Sequence, residues 1–292
     1  MSDVKETIGI VGLGRMGRAM AERLAGVGFA VAGWNRSPLV PEDDSGVPVL
    51  LDLADLLARA DILVLSLFDD AAVTEVLEKI LGTNVDLTGK LVVDTSTVGP
   101  EVLRAVADRF AARGAALVDS PISGGPDMIR AGKAGLYLGG SEADVARFRP
   151  VAEVLGQRVL TIGPLGAGAT AKILNNMMLV SYWQILKETV LVGKAAGLDP
   201  HQVLRLIAGS PGATPAMQSR LPVLLGESDA VGFTLSGAAK DGTVARRLAE
   251  ALAIDTPALA AGLKSFLDAE ARGMGEVDLA TMVRDAYTSA TD

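Results

Sequence analysis

Gly12-Leu13-Gly14-Arg15-Met16-Gly17 is the stretch that decides the predicted fold of the N-terminal half of the chain. It follows a short apolar run, Thr7 to Val11, and it opens a segment whose apolar residues recur at helical spacing. Between a strand and a helix, this glycine pattern is typical of dinucleotide binding. The first glycine allows a tight turn, the second lets a pyrophosphate approach the backbone, and the third lets the helix pack on the strand. Because the N–H groups of a helix N-terminus favour phosphate, we expect all six residues to bind the cofactor.

The second predicted strand, Ala30 to Trp34, runs into Asn35-Arg36-Ser37. A site that prefers NAD usually has an acidic residue here to accept from the ribose hydroxyls, whereas an arginine beside small polar residues suits a 2′-phosphate. The three residues therefore favour NADP(H), with NAD(H) as the alternative. The other interpretation of Arg36 is a solvated turn residue before Pro38.

Strands and helices alternate through the next 120 residues, which predicts a mostly parallel sheet covered by helices on both faces. The predicted strands lie near 47–50, 62–66, 91–94, 116–120, 135–138 and 158–162, and the predicted helices near 53–59, 71–81, 101–113 and 141–155. We expect this α/β Rossmann-type domain to span residues 1–164.

Three loops follow strands of this sheet and are expected at its ligand-binding edge. The first begins with Ser66, Leu67 and Phe68. The second, Thr95 to Thr97, has small hydroxyls suited to a ribose or a nicotinamide carboxamide. The third, with Ser123, Gly124 and Gly125, offers a hydroxyl and backbone N–H groups that suit a carboxylate. Loops of this composition also serve as ordinary turns.

Beyond Gly163-Pro164 the pattern is helical only, which predicts an all-α second domain over residues 165–292. Its first helix, about 167–196, is expected to join the two domains. Lys172, Asn175 and Asn176 share one face of this apolar helix, either as a functional cluster or as a snorkelling lysine with asparagines that cap backbone.

Apolar residues farther along the same helix, Val180, Trp183 and Leu186, are expected to meet a second copy of the chain in a homodimer. The single histidine, His201, falls in the first turn of the next predicted helix. We assign it a structural role, which excludes histidine acid-base catalysis.

Composition excludes several classes of protein. The chain has no cysteine, so disulfides, thiolate metal sites and cysteine nucleophiles are excluded, and we predict no metal site. A formal charge of −8 argues against nucleic acid and anionic membranes as partners. The start of the chain is polar, and the apolar run Met177 to Leu186 is too short to span a membrane. We therefore expect a cytoplasmic, soluble protein.

Five motifs together resemble the β-hydroxyacid dehydrogenase family, which includes 3-hydroxyisobutyrate dehydrogenase, tartronate semialdehyde reductase and short-chain semialdehyde reductases. In chain order they are Gly12 to Gly17, Asp94-Thr95-Ser96-Thr97 with Pro100, Asp119 to Gly125, Gly166 to Asn176, and Lys240-Asp241. The resemblance covers nearly the whole chain. It implies a Rossmann-type domain, an all-helical domain, and hydride transfer between a nicotinamide and a small carboxylate-bearing aldehyde or β-hydroxy acid.

The resemblance also implies residue roles. Lys172 matches the catalytic acid-base of the family, and Asn176 matches an asparagine that positions substrate, with Asn175 beside it. The loop matching Ser123 to Gly125 binds the substrate carboxylate. Lys240 matches a lysine near cofactor and substrate, and Thr97 matches a contact to the nicotinamide.

One segment departs from the family pattern. Pro126 to Arg130 replaces a run of small residues, and Asp127 places a negative charge near any bound carboxylate. Arg130 either compensates that charge or faces solvent with it.

Two alternatives stay open at this point. An imine reductase would share the two-domain plan, but such proteins usually carry Asp or Tyr at the position of Lys172 and lack the Ser-Gly-Gly loop. A non-catalytic dinucleotide-binding protein would need no buried polar cluster on an apolar helix.

Overall fold

The computed structural model describes residues 6–38 and 46–289. It divides into two compact units, Met1–Lys172 and Ile173–Asp292. The predicted division at 164/165 stays a prediction. The polar start of the chain, expected to carry no targeting segment, falls largely on residues 1–5, outside the described residues.

Within the described residues, the strands of the first unit are β1 (Ile8–Val11), β2 (Val31–Trp34), β3 (Val49–Leu50), β4 (Ile62–Leu65), β5 (Leu91–Asp94), β6 (Ala116–Asp119), β7 (Ile122–Ser123), β8 (Ala134–Gly139) and β9 (Gly156–Gly163). These nine strands form one sheet in the order β3-β2-β1-β4-β5-β6-β8-β7, with β9 beside β8. The strands from β3 to β6 are parallel, β8 runs antiparallel to β6 and β7, and β9 is parallel to β8. This confirms the predicted Rossmann-type sheet.

Helices cover both faces of the sheet, which is why every residue of β1, β4 and β5 is buried and why all of these residues except Asp94, at the end of β5, are apolar or glycine. Because side chains alternate across a strand, Ile8 and Ile10 enter one core with Phe148, while Val11 enters the other with Phe110. The helices are α1 (Arg15–Gly26), α2 (Leu53–Arg59), α3 (Asp70–Leu81), α4 (Pro100–Arg104), α5 (Ala107–Ala112), α6 (Pro126–Arg130) and α7 (Glu142–Leu155).

Two local predictions in this unit were wrong. The helix expected over 101–113 is two helices, separated by a turn in which the Val106 N–H bonds to Leu103 O. The segment expected to be a loop over 121–125 contains β7, because the backbones of Ile122 and Ser123 pair with Leu136 and Gly135.

The long helix α8 (Ala167–Ala195) starts in the first unit and continues through the second, which is all-helical as predicted. The remaining helices are α9 (Pro200–Ala208), α10 (Pro215–Ser219), α11 (Leu221–Leu224), α12 (Leu235–Ala251), α13 (Pro257–Ala269) and α14 (Thr281–Ser289), with a π-helical turn at Glu270–Met274. No helix in the described ranges is long and apolar enough to cross a membrane.

The face of α8 expected to meet a second copy lies instead in the core of the second unit. Val180, Trp183 and Leu186 are at most 3% exposed. Gly262 of α13 lets that helix approach this face closely, since a Cβ there would lie 2.7 Å from Val180 O. These three residues were therefore wrongly assigned to a dimer surface.

Candidate active site

The glycine-rich turn lies between β1 and α1. At two of its glycines a side chain would clash with the backbone, and at the third a side chain would have open space. A Cβ at Gly12, where φ is +94°, would lie 2.4 Å from Ser66 O, and one at Gly17 would lie 1.9 Å from Gly12 O. A Cβ at Gly14 would meet nothing within 4 Å. Gly14 is the N-cap of α1, with no side-chain cap and no acidic residue in the first turn. The exposed end of the helix therefore fits a pyrophosphate.

The side chains of this turn divide between core and surface. Leu13 is 1% exposed and fills the space beside Gly33, so only its backbone is available at the site. Met16 is half-buried and packs against the core, whereas Arg15 is exposed.

Asn35 ties the turn to the end of β2. Its Oδ1 accepts from the Leu13 N–H at 3.0 Å, and its Nδ2 donates to Ser37 O at 2.9 Å. Arg36 and Ser37 are exposed, and Arg36 forms an ion pair with Glu75 of α3 at 2.9 Å. The predicted cofactor residues Asn35, Arg36 and Ser37 thus lie next to the glycine-rich turn. Asn35 supports that turn with its own side chain.

The loops after β4 and β5 are tied to each other. Ser96 Oγ accepts from the Leu67 N–H at 2.9 Å, and Thr95 Oγ1 donates to Leu65 O at 2.6 Å. These two hydroxyls are buried and hydrogen-bonded within the loops. Thr97 is the residue of the three that is half-exposed. On the other loop Phe68 is 59% exposed.

Ser66 lies between these loops and the glycine-rich turn. It is half-buried, and its N–H bonds to Val11 O at 2.9 Å. Its own carbonyl leaves no room for a Cβ at Gly12.

Ser123, Gly124 and Gly125 lie at the end of β7. Ser123 is half-exposed, and Gly124 has a φ of +133° with Met128 close to where a Cβ would stand. Gly125 is the N-cap of α6 and has no side-chain cap.

The next two charged residues, Asp127 and Arg130, are exposed and also paired, so the structure combines the two outcomes that the sequence left open. The Asp127 side chain is 99% exposed and pairs with Arg130 at 3.2 Å, and Arg130 also bonds to Glu22 of α1 at 2.6 Å. Their charges therefore compensate each other within the first unit.

Asp119, at the end of β6, fixes the start of the helix that carries Lys172. Its Oδ1 accepts from the Gly166 N–H and its Oδ2 from the Ala169 N–H, each at 2.6 Å. Burial raises the pKa of the Asp119 carboxyl, and the two backbone hydrogen bonds oppose that shift. Gly168 allows the close packing, since a Cβ there would lie 2.1 Å from Tyr137 O. The sequence pattern indicated Asp119 only as the first residue of the motif Asp119 to Gly125, so this role at the start of α8 was not predicted.

Lys172 lies at the end of the first unit, half-buried on α8 one turn beyond the segment that Asp119 holds. Asn176 follows four residues later on the same helix, so the two side chains share one face.

In the second unit, Asn175, Asn176, Lys240 and Asp241 form a chain of polar contacts. Asn175 Nδ2 donates to Asn176 Oδ1 at 3.0 Å, and Asn176 Nδ2 donates to Asp241 Oδ2 at 2.6 Å. Lys240 Nζ lies 2.6 Å from Asp241 Oδ1. Asn176 is 2% exposed and Asp241 is 4% exposed, so the centre of this network is buried, whereas Asn175 is exposed and Lys240 is half-buried. The Asp241 carboxylate was not predicted to belong to the site. It joins three residues that were predicted, Asn175, Asn176 and Lys240.

His201 is outside this network. Its ring lies against Tyr287, with ring centroids 5.9 Å apart, which agrees with a structural role. Within residues 6–38 and 46–289, no three His, Asp or Glu side chains are grouped so that they could hold a metal ion.

Two family models match the chain in succession. One, described as the NAD binding domain of 6-phosphogluconate dehydrogenase, matches residues 7–163, and one described as the NAD-binding part of NADP-dependent 3-hydroxyisobutyrate dehydrogenase matches residues 166–286. The chain belongs to the β-hydroxyacid dehydrogenase family. As a member of that family, it is an NAD(P)-dependent oxidoreductase that acts on a hydroxyl group or the corresponding carbonyl.

Two curated relatives match this chain over nearly their whole length. The 2-hydroxy-3-oxopropionate reductase of Escherichia coli is 29% identical, with 95% of this chain and 96% of the relative covered. The 3-hydroxyisobutyrate dehydrogenase of Pseudomonas aeruginosa is 32% identical, with 91% and 95% covered.

Among solved structures, 3-hydroxyisobutyrate dehydrogenase of Mycobacterium tuberculosis with L-serine superposes with a TM-score of 0.85 at 25% identity, covering 99% of this chain and all of the other. An imine reductase from a Pseudomonas species gives 0.61 at 19% identity, covering 97% and 99%, which shows a shared fold alone. The family assignment sets aside the non-catalytic alternative, and the imine-reductase alternative has support only at the level of the fold.

Proposed function

We propose that this oxidoreductase transfers hydride between NADP(H) and a small β-hydroxy acid or its semialdehyde, with Lys172 as the general acid-base. The observation that carries the proposal is the polar face of α8. Lys172 stands one helical turn before Asn176, whose amide is buried and bonded to Asp241. A buried polar network on an apolar helix is costly to maintain without a task, and proton delivery supplies one.

Each proposed role uses chemistry that the residue can supply. The nicotinamide, when bound, supplies or accepts the hydride. The Lys172 ammonium gives its Nζ proton to the carbonyl oxygen as charge develops there, and in the opposite direction its amine takes the hydroxyl proton. Asn175 and Asn176 orient substrate and lysine without adding charge. Lys240 supplies a positive charge that Asp241 holds in place at 2.6 Å.

The carboxylate of the substrate is assigned to Ser123, Gly124 and Gly125. A hydroxyl and backbone N–H groups recognise a carboxylate well, and the half-exposed Ser123 side chain is available for this. The relatives named for 2-hydroxy-3-oxopropionate and 3-hydroxyisobutyrate support a short acid as the substrate class.

NADP(H) is proposed over NAD(H) because the strand that ends at Trp34 is followed by an exposed arginine. Arg36 suits a doubly charged 2′-phosphate, and Asn35 cannot replace the carboxylate that usually accepts from the ribose hydroxyls. The pyrophosphate is assigned to residues Gly12 to Gly17, and Ser66, Leu67, Phe68 and Thr97 to the rest of the cofactor.

A homodimer and a cytoplasmic location stay predictions. Support for the dimer now comes from another face of α8, where Met178, Ile185 and Val192 recur every seven residues and are 54–75% exposed. Light scattering at micromolar concentration is expected to give twice the chain mass, and a monomer would contradict the dimer.

The proposed reaction is tested by initial rates with NADPH and NADH against short semialdehydes, β-keto acids and cyclic imines. We expect turnover of a carboxylate-bearing aldehyde, with a larger kcat/KM for NADPH. Turnover of imines alone would contradict the proposed substrate class.

A further inference from the structure

The 2.9 Å contact between Arg36 and Glu75 joins the two sides of the glycine-rich turn. Arg36 follows β2, and Glu75 lies on α3, which follows β4. Because β2 and β4 are the two neighbours of β1, these segments flank the turn that follows β1. Both side chains are exposed, at 69% for Arg36 and 57% for Glu75.

We propose that Glu75 is a specificity-determining residue that weakens NADP(H) binding relative to NAD(H) by competing for Arg36. The inference rests on the proposed function, in which Arg36 recognises the 2′-phosphate. A guanidinium held by one carboxylate has fewer N–H donors for a second anion. The carboxylate also repels a phosphate that carries nearly two negative charges. NAD(H) has a neutral hydroxyl at the 2′ position, so it is subject to neither effect.

The next charged residues along α3, Glu78 and Lys79, have other partners. Glu78, one turn farther along, bonds to Arg109 of α5, with Nη2 and Oε2 2.9 Å apart. Lys79 lies over the Trp34 ring, 4.9 Å from its centroid. Glu75 is therefore the carboxylate of this helix that reaches the predicted 2′-phosphate residue, and Glu78 is its matched control.

The test measures dissociation constants of NADP⁺ and NAD⁺ by calorimetry for the wild type, Glu75→Gln, Glu78→Gln, Arg36→Gln and the double variant Arg36→Gln/Glu75→Gln. Glu75→Gln is expected to bind NADP⁺ about threefold to tenfold more tightly, the size of one exposed ion pair and one like-charge repulsion removed. Its NAD⁺ affinity should change by less than about twofold, and Glu78→Gln should change neither. In the Arg36→Gln background, Glu75→Gln should tighten NADP⁺ binding by a smaller factor than it does in the wild-type background.

Two failures are distinguishable. If Arg36→Gln weakens NADP⁺ selectively but Glu75→Gln leaves NADP⁺ affinity unchanged or tightens both cofactors equally, the competition is refuted and the role of Arg36 stands. If Arg36→Gln leaves NADP⁺ affinity unchanged, both the 2′-phosphate assignment and the inference built on it are refuted.

Discussion

Asn176 and Asp241 are joined by a 2.6 Å hydrogen bond from the amide Nδ2 to the carboxylate Oδ2, and both side chains are buried. Lys240 completes the arrangement with a 2.6 Å ion pair to the other carboxylate oxygen. A buried carboxylate is tolerated when it is paired and hydrogen-bonded, and Asp241 is both. Asp241 is thus a positioning residue for two members of the proposed site.

Replacing Asp241 by Asn removes the negative charge that holds the Lys240 ammonium group. It also replaces one of the two acceptor oxygens of the side chain by an NH₂ group. We expect kcat to fall by about tenfold to a hundredfold, because positioned groups of this kind contribute at that scale. The KM for NADPH should change little. The matched control is Asp268→Asn in the same unit, whose ion pair with Lys264 is exposed and should be dispensable. An unchanged kcat in Asp241→Asn would show that the network serves stability only.

Gly14 and Gly17 should respond in opposite ways to alanine. Gly14→Ala places a methyl group in open space, so the fold should persist while NAD(P) binding weakens by at least about tenfold. Gly17→Ala places a methyl group 1.9 Å from Gly12 O, so the turn itself should be destabilised. Thermal unfolding and cofactor calorimetry separate the two effects. Normal cofactor affinity in a folded Gly14→Ala variant would argue against the pyrophosphate assignment.

Asp119→Asn should destabilise the first unit, since an amide cannot accept from both the Gly166 and the Ala169 N–H groups. A buried N–H left without an acceptor costs about 1–3 kcal/mol. The chain has two tryptophans, one in each unit, so Trp34 fluorescence in a Trp183→Phe background reports on this unit alone. The exposed Asp108→Asn is the control, expected to change the free energy of unfolding by less than about 0.5 kcal/mol.

The same carboxyl predicts a dependence on pH. Because burial raises the pKa of Asp119, the folded chain binds this proton more readily than the unfolded chain does. The stability that this proton adds is therefore fully present below the pKa of the carboxyl in the unfolded chain. It declines as the pH rises through the pKa of the carboxyl in the folded chain. The advantage of wild type over Asp119→Asn in the free energy of unfolding should narrow as the pH rises above the ordinary pKa of a carboxyl group, as measured by urea titrations at a series of pH values. A widening advantage would mean that the folded pKa is lowered.

Asp278 is expected to be the most sensitive polar residue of the second unit. It is 1% exposed and accepts from Arg220 Nε at 3.0 Å and from the Gly232 and Phe233 N–H groups. Asp278→Ala leaves these donors without a partner and should cost about 3–5 kcal/mol. Trp183 fluorescence in a Trp34→Phe background follows this unit. Asp229→Ala, an 88% exposed partner of Arg284, should cost less than about 1 kcal/mol.

Periodic and capping signals made much of the fold predictable. The apolar strand before the glycine-rich turn forms as expected, and Asp69 and Asp199 cap the helices that follow them. Such features depend on neighbours within a few residues. β7 was missed because its pairing depends on β8, which lies about a dozen residues away and leaves no local pattern.

The site was predictable only in part, for a similar reason. The pattern of Lys172 and Asn176 is visible on one helix, whereas Asp241 acquires its role only when α12 brings it to Asn176, 65 residues away in sequence. Val180 and Trp183 were assigned to a dimer because an apolar helix face does not reveal whether its partner lies in the same chain. The contact between Arg36 and Glu75 likewise requires the order of the strands.

The proposed proton transfer by Lys172 is tested with the variant Lys172→Met. NADPH affinity by calorimetry and single-turnover oxidation of bound NADPH by a carboxylate-bearing aldehyde are measured together, with the exposed Lys133→Met as the control. We expect NADPH affinity within about twofold of wild type and a hydride-transfer rate that is lower by a factor of about 10² to 10⁴. A Lys172→Met protein that binds NADPH and oxidises it at the wild-type rate would show that Lys172 does not transfer the proton.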